Sequence, residues 1–359
     1  MQSWVIRSTH YDLVTILGGS VLTLLLALVC SLNPTIMVPA FWIWVFFFEG
    51  THFWTTVSRT FFDKEYLRIF SSDLKFSLIF VLIPMMSLLS PDEGLLNAWG
   101  FILFLWSLYH NARQHFGFFS IYAKKARWSE GKTTSRARWL YLGIVFPQLA
   151  YLIFFKAPQN WNSAWHPQMV NAPFSIFMAL SLALAVYALL PILKARKNQT
   201  SPWPDGYILT TTLFYSIMFF IVAPQEPFYL SATHGAQTLM LITIMNSLFH
   251  NIQYHAIGWH FSHERYVKRK HLATGLAKML NGSLSAYIFI GLIFGSIFGV
   301  AMIFTGDWPV PFLQKGESFT FAKAFLFAVI GQHFYLDQVI WKPNKQEELG
   351  AYLGLQKAG

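Results

Sequence analysis

Apolar residues run through this chain in long blocks separated by short polar stretches. A membrane-crossing helix needs about 20 mostly apolar residues. Ten blocks come close to that length: 13–30, 36–58, 74–90, 98–122, 139–157, 173–193, 207–223, 232–261, 281–305 and 320–341. The first follows Arg7 and His10 with no small-residue cleavage site behind it, so it reads as a retained helix and not a signal peptide. The pattern predicts an all-α, polytopic integral-membrane helical bundle of about ten transmembrane helices, with residues 1–359 forming one domain.

The polar stretches set the orientation. Loop 59–75 carries Arg59, Lys64, Arg68 and Lys75, and loop 123–138 carries Lys124, Lys125, Arg127, Lys132, Arg136 and Arg138. Lys194, Arg196 and Lys197 follow the sixth block; Arg265, Lys268, Arg269, Lys270 and Lys278 lie at and after the end of the eighth; Lys342, Lys345 and Lys357 close the chain. With Arg7 and Arg113, these are all of the 26 Lys and Arg but Lys156, Lys315 and Lys323. The alternate loops are acidic or neutral, as in Pro91-Asp92-Glu93-Gly94 and Gln225-Glu226-Pro227. Basic residues collect on the cytoplasmic side, so both termini are expected to be cytoplasmic.

Composition agrees. Of 359 residues, 55% are hydrophobic, 18% aromatic and 12% charged, against about 25% charged in an ordinary soluble domain. That excludes a disordered chain, a disulfide scaffold and most soluble enzymes. One cysteine, Cys30, allows neither an internal disulfide nor a thiolate metal cluster. The net charge of +10 sits in the loops and reflects topology, so no nucleic-acid partner is expected.

Two pairs of segments echo one another. Ser107–His115 and Ser247–His255 both read S-L-[YF]-H-N-x-x-x-H, and Gly50-Thr51-His52-Phe53-Trp54 parallels Gly331-Gln332-His333-Phe334-Tyr335. The pairs suggest a pseudo-repeat of the histidine-bearing helices across 50–115 and 247–335, or convergence on one local task.

The 12 histidines point to chemistry, because ionisable groups inside a membrane are costly and by default functional. His52, His110, His115, His250, His255 and His333 fall on the second, fourth, eighth and tenth blocks. His52, His115, His255 and His333 stand seven to ten residues before Arg59, Lys124, Arg265 and Lys342. At about 1.5 Å per residue, this puts four helices' histidines in one layer of the cytoplasmic half. Glu49 and His52 form E-x-x-H, an i, i+3 pairing used by di-iron carboxylate bundles, and His333 with Asp337 is an i, i+4 pair on one face. In H-N-x-x-x-H the histidines are about 140° apart on a regular helix, so one centre can use both only through a kink or bulge. Asn111 and Asn251 stand one turn before His115 and His255, as partners able to orient the imidazoles.

Each residue also has a plainer reading. A single buried histidine is more often a structural hydrogen-bonding group than a ligand; six in one layer carry the metal reading. Glu49 can instead pair with Arg59, and Asp337 can face solvent. His260 and His263 are candidates for an additional ligand. His234 lies about 24 Å along the helix from His250, too far to share its site. His166 falls in an outer loop, and His10 and His271 are expected to be solvated. Arg113 and Gln253 occupy matching positions in the echo.

Three imidazoles and a carboxylate per ion, without thiolate, suit iron, manganese or zinc. The boxes His110/His115 and His250/His255 resemble those of integral-membrane His-box oxygenases: fatty-acid desaturases, alkane hydroxylases, sterol oxidases and carotenoid hydroxylases. Those families carry H-x-x-H-H pairs, whereas no two histidines are adjacent here. The chain also resembles bacterial membrane carotene-cleaving dioxygenases of the Brp/Blh type, with single histidines on several helices and a His234-Gly235 dipeptide. The resemblance to the His-box oxygenases implies a di-iron centre, dioxygen and an external electron donor.

The expectation is therefore a multi-pass membrane enzyme, in the inner membrane if bacterial, with a dinuclear non-haem iron site. It would use O2 to hydroxylate, desaturate or cleave a lipid or other apolar substrate arriving from the bilayer, with electrons from a cytoplasmic donor. A haem-binding electron carrier or quinol oxidoreductase, a zinc-dependent hydrolase and a metal transporter are the rivals.

Overall fold

The computed structural model describes residues 5–89, 94–156, 167–198, 200–224, 234–269, 275–306, 320–343 and 345–355. The expectations placed on residues 91–93 and 225–227, and on Lys270, Lys315, Lys357, His166 and His271, lie outside them. Every regular element among the described residues is helical. Ten long helices coincide with the ten apolar blocks: α1 (Thr9–Leu32), α2 (Pro34–Phe61), α3 (Ser71–Leu89), α4 (Gly94–Lys125), α5 (Glu130–Ala150), α6 (Pro167–Lys197), α7 (Trp203–Val222), α8 (His234–Ser262), α9 (Leu284–Phe304) and α10 (Thr320–Ile340). Serine side chains cap three of them: Ser8, Ser129 and Ser283 accept backbone N–H groups that have no partner within the first turn.

Among the described residues, six helices are long and apolar enough to cross a membrane: α1, α2, α3, α6 over Phe174–Ala195, α7 and α9. Polar residues lower the hydropathy of two of the others. These include His110, Asn111, Arg113, Gln114 and His115 on α4, and Gln332, His333 and Asp337 on α10. Both are histidine-bearing helices.

The chain divides into two compact units, Met1–Met37 with Asn111–His250, and Val38–His110 with Asn251–Gly359. It changes unit inside each copy of the echo, between His110 and Asn111 and again between His250 and Asn251.

In the first unit α5, α6 and α7 pack together and α7 meets α1. A Cβ on Gly143 of α5 would come 2.2 Å from Thr212 Oγ1 of α7, so the bare glycine sets that close approach. Asp12, fully buried, accepts the backbone N–H groups of Ile6 and Arg7 and the hydroxyl of Tyr122, tying the start of α1 to α4.

In the second unit α9 lies against α2 through a row of glycines. Gly291, Gly295 and Gly299 recur every fourth residue, the small-residue spacing that lets membrane helices touch backbone to backbone. A Cβ on Gly295 would stand 2.3 Å from the carbonyl oxygen of Phe46, and one on Gly50 2.7 Å from Gly295 Cα. The opposite flank is aromatic, with Trp99 and Leu103 of α4 packed on Phe334 of α10 and Phe80 of α3.

Beyond the ends of α2 and α8, the fully buried Arg265 gathers three carboxylates: Asp63 at 2.8 Å and Glu65 and Glu348 at 2.6 Å. Burial works against its charge, but the bonds to Asp63 and Glu65 outweigh it and hold its pKa above the ordinary arginine value. Arg59 is held differently. Its guanidinium donates to the Ile340 carbonyl and Gln346 Oε1 and lies over the rings of Phe261 and Trp341, at 3.8 and 4.1 Å.

Candidate metal centre

All the groups of the centre described here belong to the second unit. In α2 a π-turn over Val45–Glu49 closes just before Gly50. Such turns insert a residue into the helix and recur at functional sites. His52 and Thr56 then follow one turn apart, as His333 and Asp337 do on α10, so each helix offers two polar side chains on one face. His110, Asn251 and Tyr254 complete the set. All of these residues are buried except Asp337, whose side chain is 7% exposed.

The donors converge. His52 Nε2 lies 3.0 Å from His333 Nε2. Asp337 Oδ2 lies 3.5 Å from His333 Nε2 and 3.8 Å from His110 Nε2. The ligand atoms of His110, His333 and Asp337 fall within 4.8 Å of one another, an arrangement able to hold a metal ion. The other carboxylate oxygen, Oδ1, is turned away and faces the hydroxyls of Thr56 (2.7 Å) and Tyr254 (2.6 Å).

Hydrogen bonding fixes the tautomer of His52. His52 Nδ1 stands 2.7 Å from the Glu49 carbonyl oxygen, which can only accept, so Nδ1 carries the proton. Thr56 Oγ1 lies 2.7 Å from Asp337 Oδ1, 2.9 Å from His333 Nδ1 and 2.5 Å from the Tyr254 hydroxyl, so its one proton can go to Asp337 or to His333. With that proton on Asp337 the two imidazoles turn unprotonated Nε2 atoms toward each other at 3.0 Å; with it on His333 Nδ1, His333 Nε2 donates to His52 Nε2. Lone pair facing lone pair is repulsive unless a cation lies at that edge. Two nitrogens bound at about 2.1 Å to one ion, roughly 90–110° apart, stand about 3.0–3.4 Å from each other. The observed separation falls in that range.

The remaining sequence candidates have other partners. Glu49 accepts from Asn251 Nδ2 at 2.9 Å rather than pairing with Arg59, and its Oε2 is 3.8 Å from His52 Nδ1, the nitrogen turned away from the cluster. Asn251 also gives a hydrogen to the Phe48 carbonyl, so both its amide hydrogens go to α2 and not to His255. His255 has Thr51 Oγ1 2.9 Å from Nε2 and the Tyr287 hydroxyl 3.1 Å from Nδ1. His260 Nε2 donates to the Tyr352 carbonyl, and His263 lies beside Glu264 and the Trp259 ring.

In the first unit, His115 has a tyrosine at each ring nitrogen, Tyr207 at 2.7 Å and Tyr215 at 3.3 Å. Asn111 donates to the Asn246 carbonyl. His250 is buried, and its backbone carbonyl accepts from Gln114. Arg113 donates to the Tyr141 hydroxyl, and His10 is exposed. Thr56 and Tyr254 are the functional residues that sequence reasoning missed. Their signals were a hydroxyl one turn after His52 and the tyrosine preceding the last histidine of the second echo.

No protein-family model matches the chain, and no curated protein or solved structure is significantly similar to it.

Proposed function

We propose that this protein is a multi-pass membrane oxidoreductase that uses a non-haem iron ion and O2 to oxidise an apolar substrate. The observation that carries the proposal is the grouping of His110, His333 and Asp337 within 4.8 Å of one another, with His52 Nε2 3.0 Å from His333 Nε2, inside an apolar helical unit. Three imidazoles and a carboxylate without thiolate suit iron, manganese or zinc. Bound iron would supply one-electron redox chemistry and a coordination position for dioxygen. The chain's own groups would orient the ligands. The Glu49 carbonyl and Thr56 hydroxyl hold the Nδ1 protons of His52 and His333, and Thr56 and Tyr254 hold Asp337 with one oxygen toward the ion.

The same proposal keeps ten membrane spans with both termini cytoplasmic, which puts the site in the cytoplasmic half. Electrons for hydroxylation or desaturation would come from a cytoplasmic donor, whereas oxidative cleavage that inserts both oxygen atoms needs none. One ion fits the cluster of the second unit. The second iron expected from the histidine count would draw on donors outside it.

Elemental analysis of detergent-purified protein, with an ultraviolet–visible spectrum of the same sample, tests the proposal. Iron without a Soret band, lowered by His110→Ala and His333→Ala, supports it, and the iron count separates one ion from two. Zinc alone would indicate hydrolysis, and a Soret band would indicate haem.

A further inference from the structure

We propose that a cavity beside His333 receives the end of an unbranched hydrocarbon chain of a membrane lipid, in preference to a fused-ring molecule. This deepens the proposed function and rests on it for the reaction; the binding itself rests on the cavity. The volume is about 180 Å³, enclosed by α2, α9 and α10 of the second unit. Its inner wall is made by Phe53, Thr56, His333 and Leu336, all nearly inaccessible. Val57, Phe294, Phe325 and Val329 form the half-buried rim.

The wall is apolar in character. Its hydroxyl, on Thr56, is committed to Asp337 and His333, and Gln332 gives its amide N–H to Ser77 Oγ at 3.1 Å. A polar headgroup would lose its hydration there with nothing comparable in return, whereas hydrocarbon loses nothing. A methylene takes up about as much space as a water molecule, roughly 30 Å³, so the cavity admits about six carbons of a linear chain. A sterol nucleus is larger than that.

The occupant is a membrane lipid because of what surrounds the rim. On α9, one of the helices able to span a membrane, Phe289, Ile293 and Ile297 beside Phe294 are 63%, 46% and 54% exposed. Hydrocarbon outside the protein is thus continuous with the apolar rim, and the path inward ends at the imidazole of His333. A chain terminus, or the carbon a few positions from it, would reach the metal-facing residues first.

The test uses the full-length protein in phosphatidylcholine vesicles containing a fatty acid with a diazirine on its terminal carbon. After photolysis, adducts are mapped by mass spectrometry. Adducts should concentrate on residues 53–57 and 325–336, and should be lost when the diazirine is moved next to the carboxylate. Val329→Trp, which fills the rim, should abolish them while leaving the metal content at the native level. His110→Ala should retain them, so failure of the metal reading and failure of the lipid-chain reading are separable. With native protein, an unlabelled linear fatty acid should suppress labelling and a sterol should not. Labelling spread evenly over the exposed leucines of α1 and α9, survival of the adducts in a folded Val329→Trp variant, or equal suppression by the sterol would overturn the proposal.

Discussion

Replacing Thr56 by valine tests the proposed ligand orientation without touching a ligand. The two side chains have nearly the same shape, so the change removes little but the hydroxyl. That hydroxyl lies 2.7 Å from Asp337 Oδ1 and 2.9 Å from His333 Nδ1. A hydrogen bond to a charged group contributes about 1.5–3 kcal/mol. Tyr254 still holds Oδ1 at 2.6 Å, so the lower end of that range applies, which corresponds to a loss of roughly tenfold or somewhat more in metal affinity. Loss of an outer partner at a metal site typically costs about 10–100-fold, which agrees. The assay strips the purified protein with a chelator and titrates Fe(II) back against a chromophoric competitor. Thr56→Val should bind more weakly by that factor, and Thr56→Ser, which restores the hydroxyl, should bind as the native protein does. Native affinity in the valine variant, with its fold intact, would refute the assignment of Thr56 as the group that orients Asp337 and His333.

Four further outcomes are expected. His115→Phe should leave the metal content unchanged, because tyrosines face both ring nitrogens. It should instead lower stability by about 1–3 kcal/mol for the buried hydroxyls it strands; loss of metal in that folded variant would contradict the assignment. Gly295→Ala puts a methyl group against the Phe46 carbonyl and should cost about 1–3 kcal/mol, read as a lower midpoint of thermal unfolding in detergent; an unchanged midpoint would show that α2 and α9 are not in backbone contact. Arg265→Met leaves Asp63 buried without its cation and should destabilise by about 3 kcal/mol, the low end because Glu65 and Glu348 are each about a third exposed; denaturant titration measures it, and no loss would mean the cluster is fully solvated. For topology, cysteines placed at Gly131 and Lys345 in a Cys30→Ser background should both react with an impermeant maleimide from the cytoplasmic side only. Labelling of the two from opposite sides would break the ten-span arrangement.

The helices were legible in the sequence because each block is long, apolar and bounded by loops, and all ten blocks correspond to helices. The spanning property was legible only in part. His110, Asn111 and Gln114 on α4 and His333 and Asp337 on α10 lower the hydropathy of the helices that carry the chemistry. A shared layer for the four histidine-bearing helices followed from the distances of His52, His115, His255 and His333 to the basic loops. Which histidines turn toward one another did not, since that depends on rotation about each helix axis. Five residues carry His115 well away from the direction of His110, and His115 ends between two tyrosines. The sequence allows Glu49 as a ligand or as a partner of Arg59; in the structure it accepts from Asn251. Thr56 and Tyr254 were hidden because threonine and tyrosine are ordinary in apolar helices; they acquire a role only once α2 and α8 bring both hydroxyls to the same oxygen of Asp337. The change of unit within each echo rests on contacts far apart in the chain, which no local pattern encodes.

The central claim is that His52, His110, His333 and Asp337 hold iron. Elemental analysis of the native protein beside His110→Ala and His333→Ala, each confirmed folded by circular dichroism, tests it most directly. At least one iron per native chain, no Soret band, and loss of that iron in both variants is the predicted result. Native protein that binds no metal and recovers none on reconstitution, or variants that keep their full iron content, would contradict it.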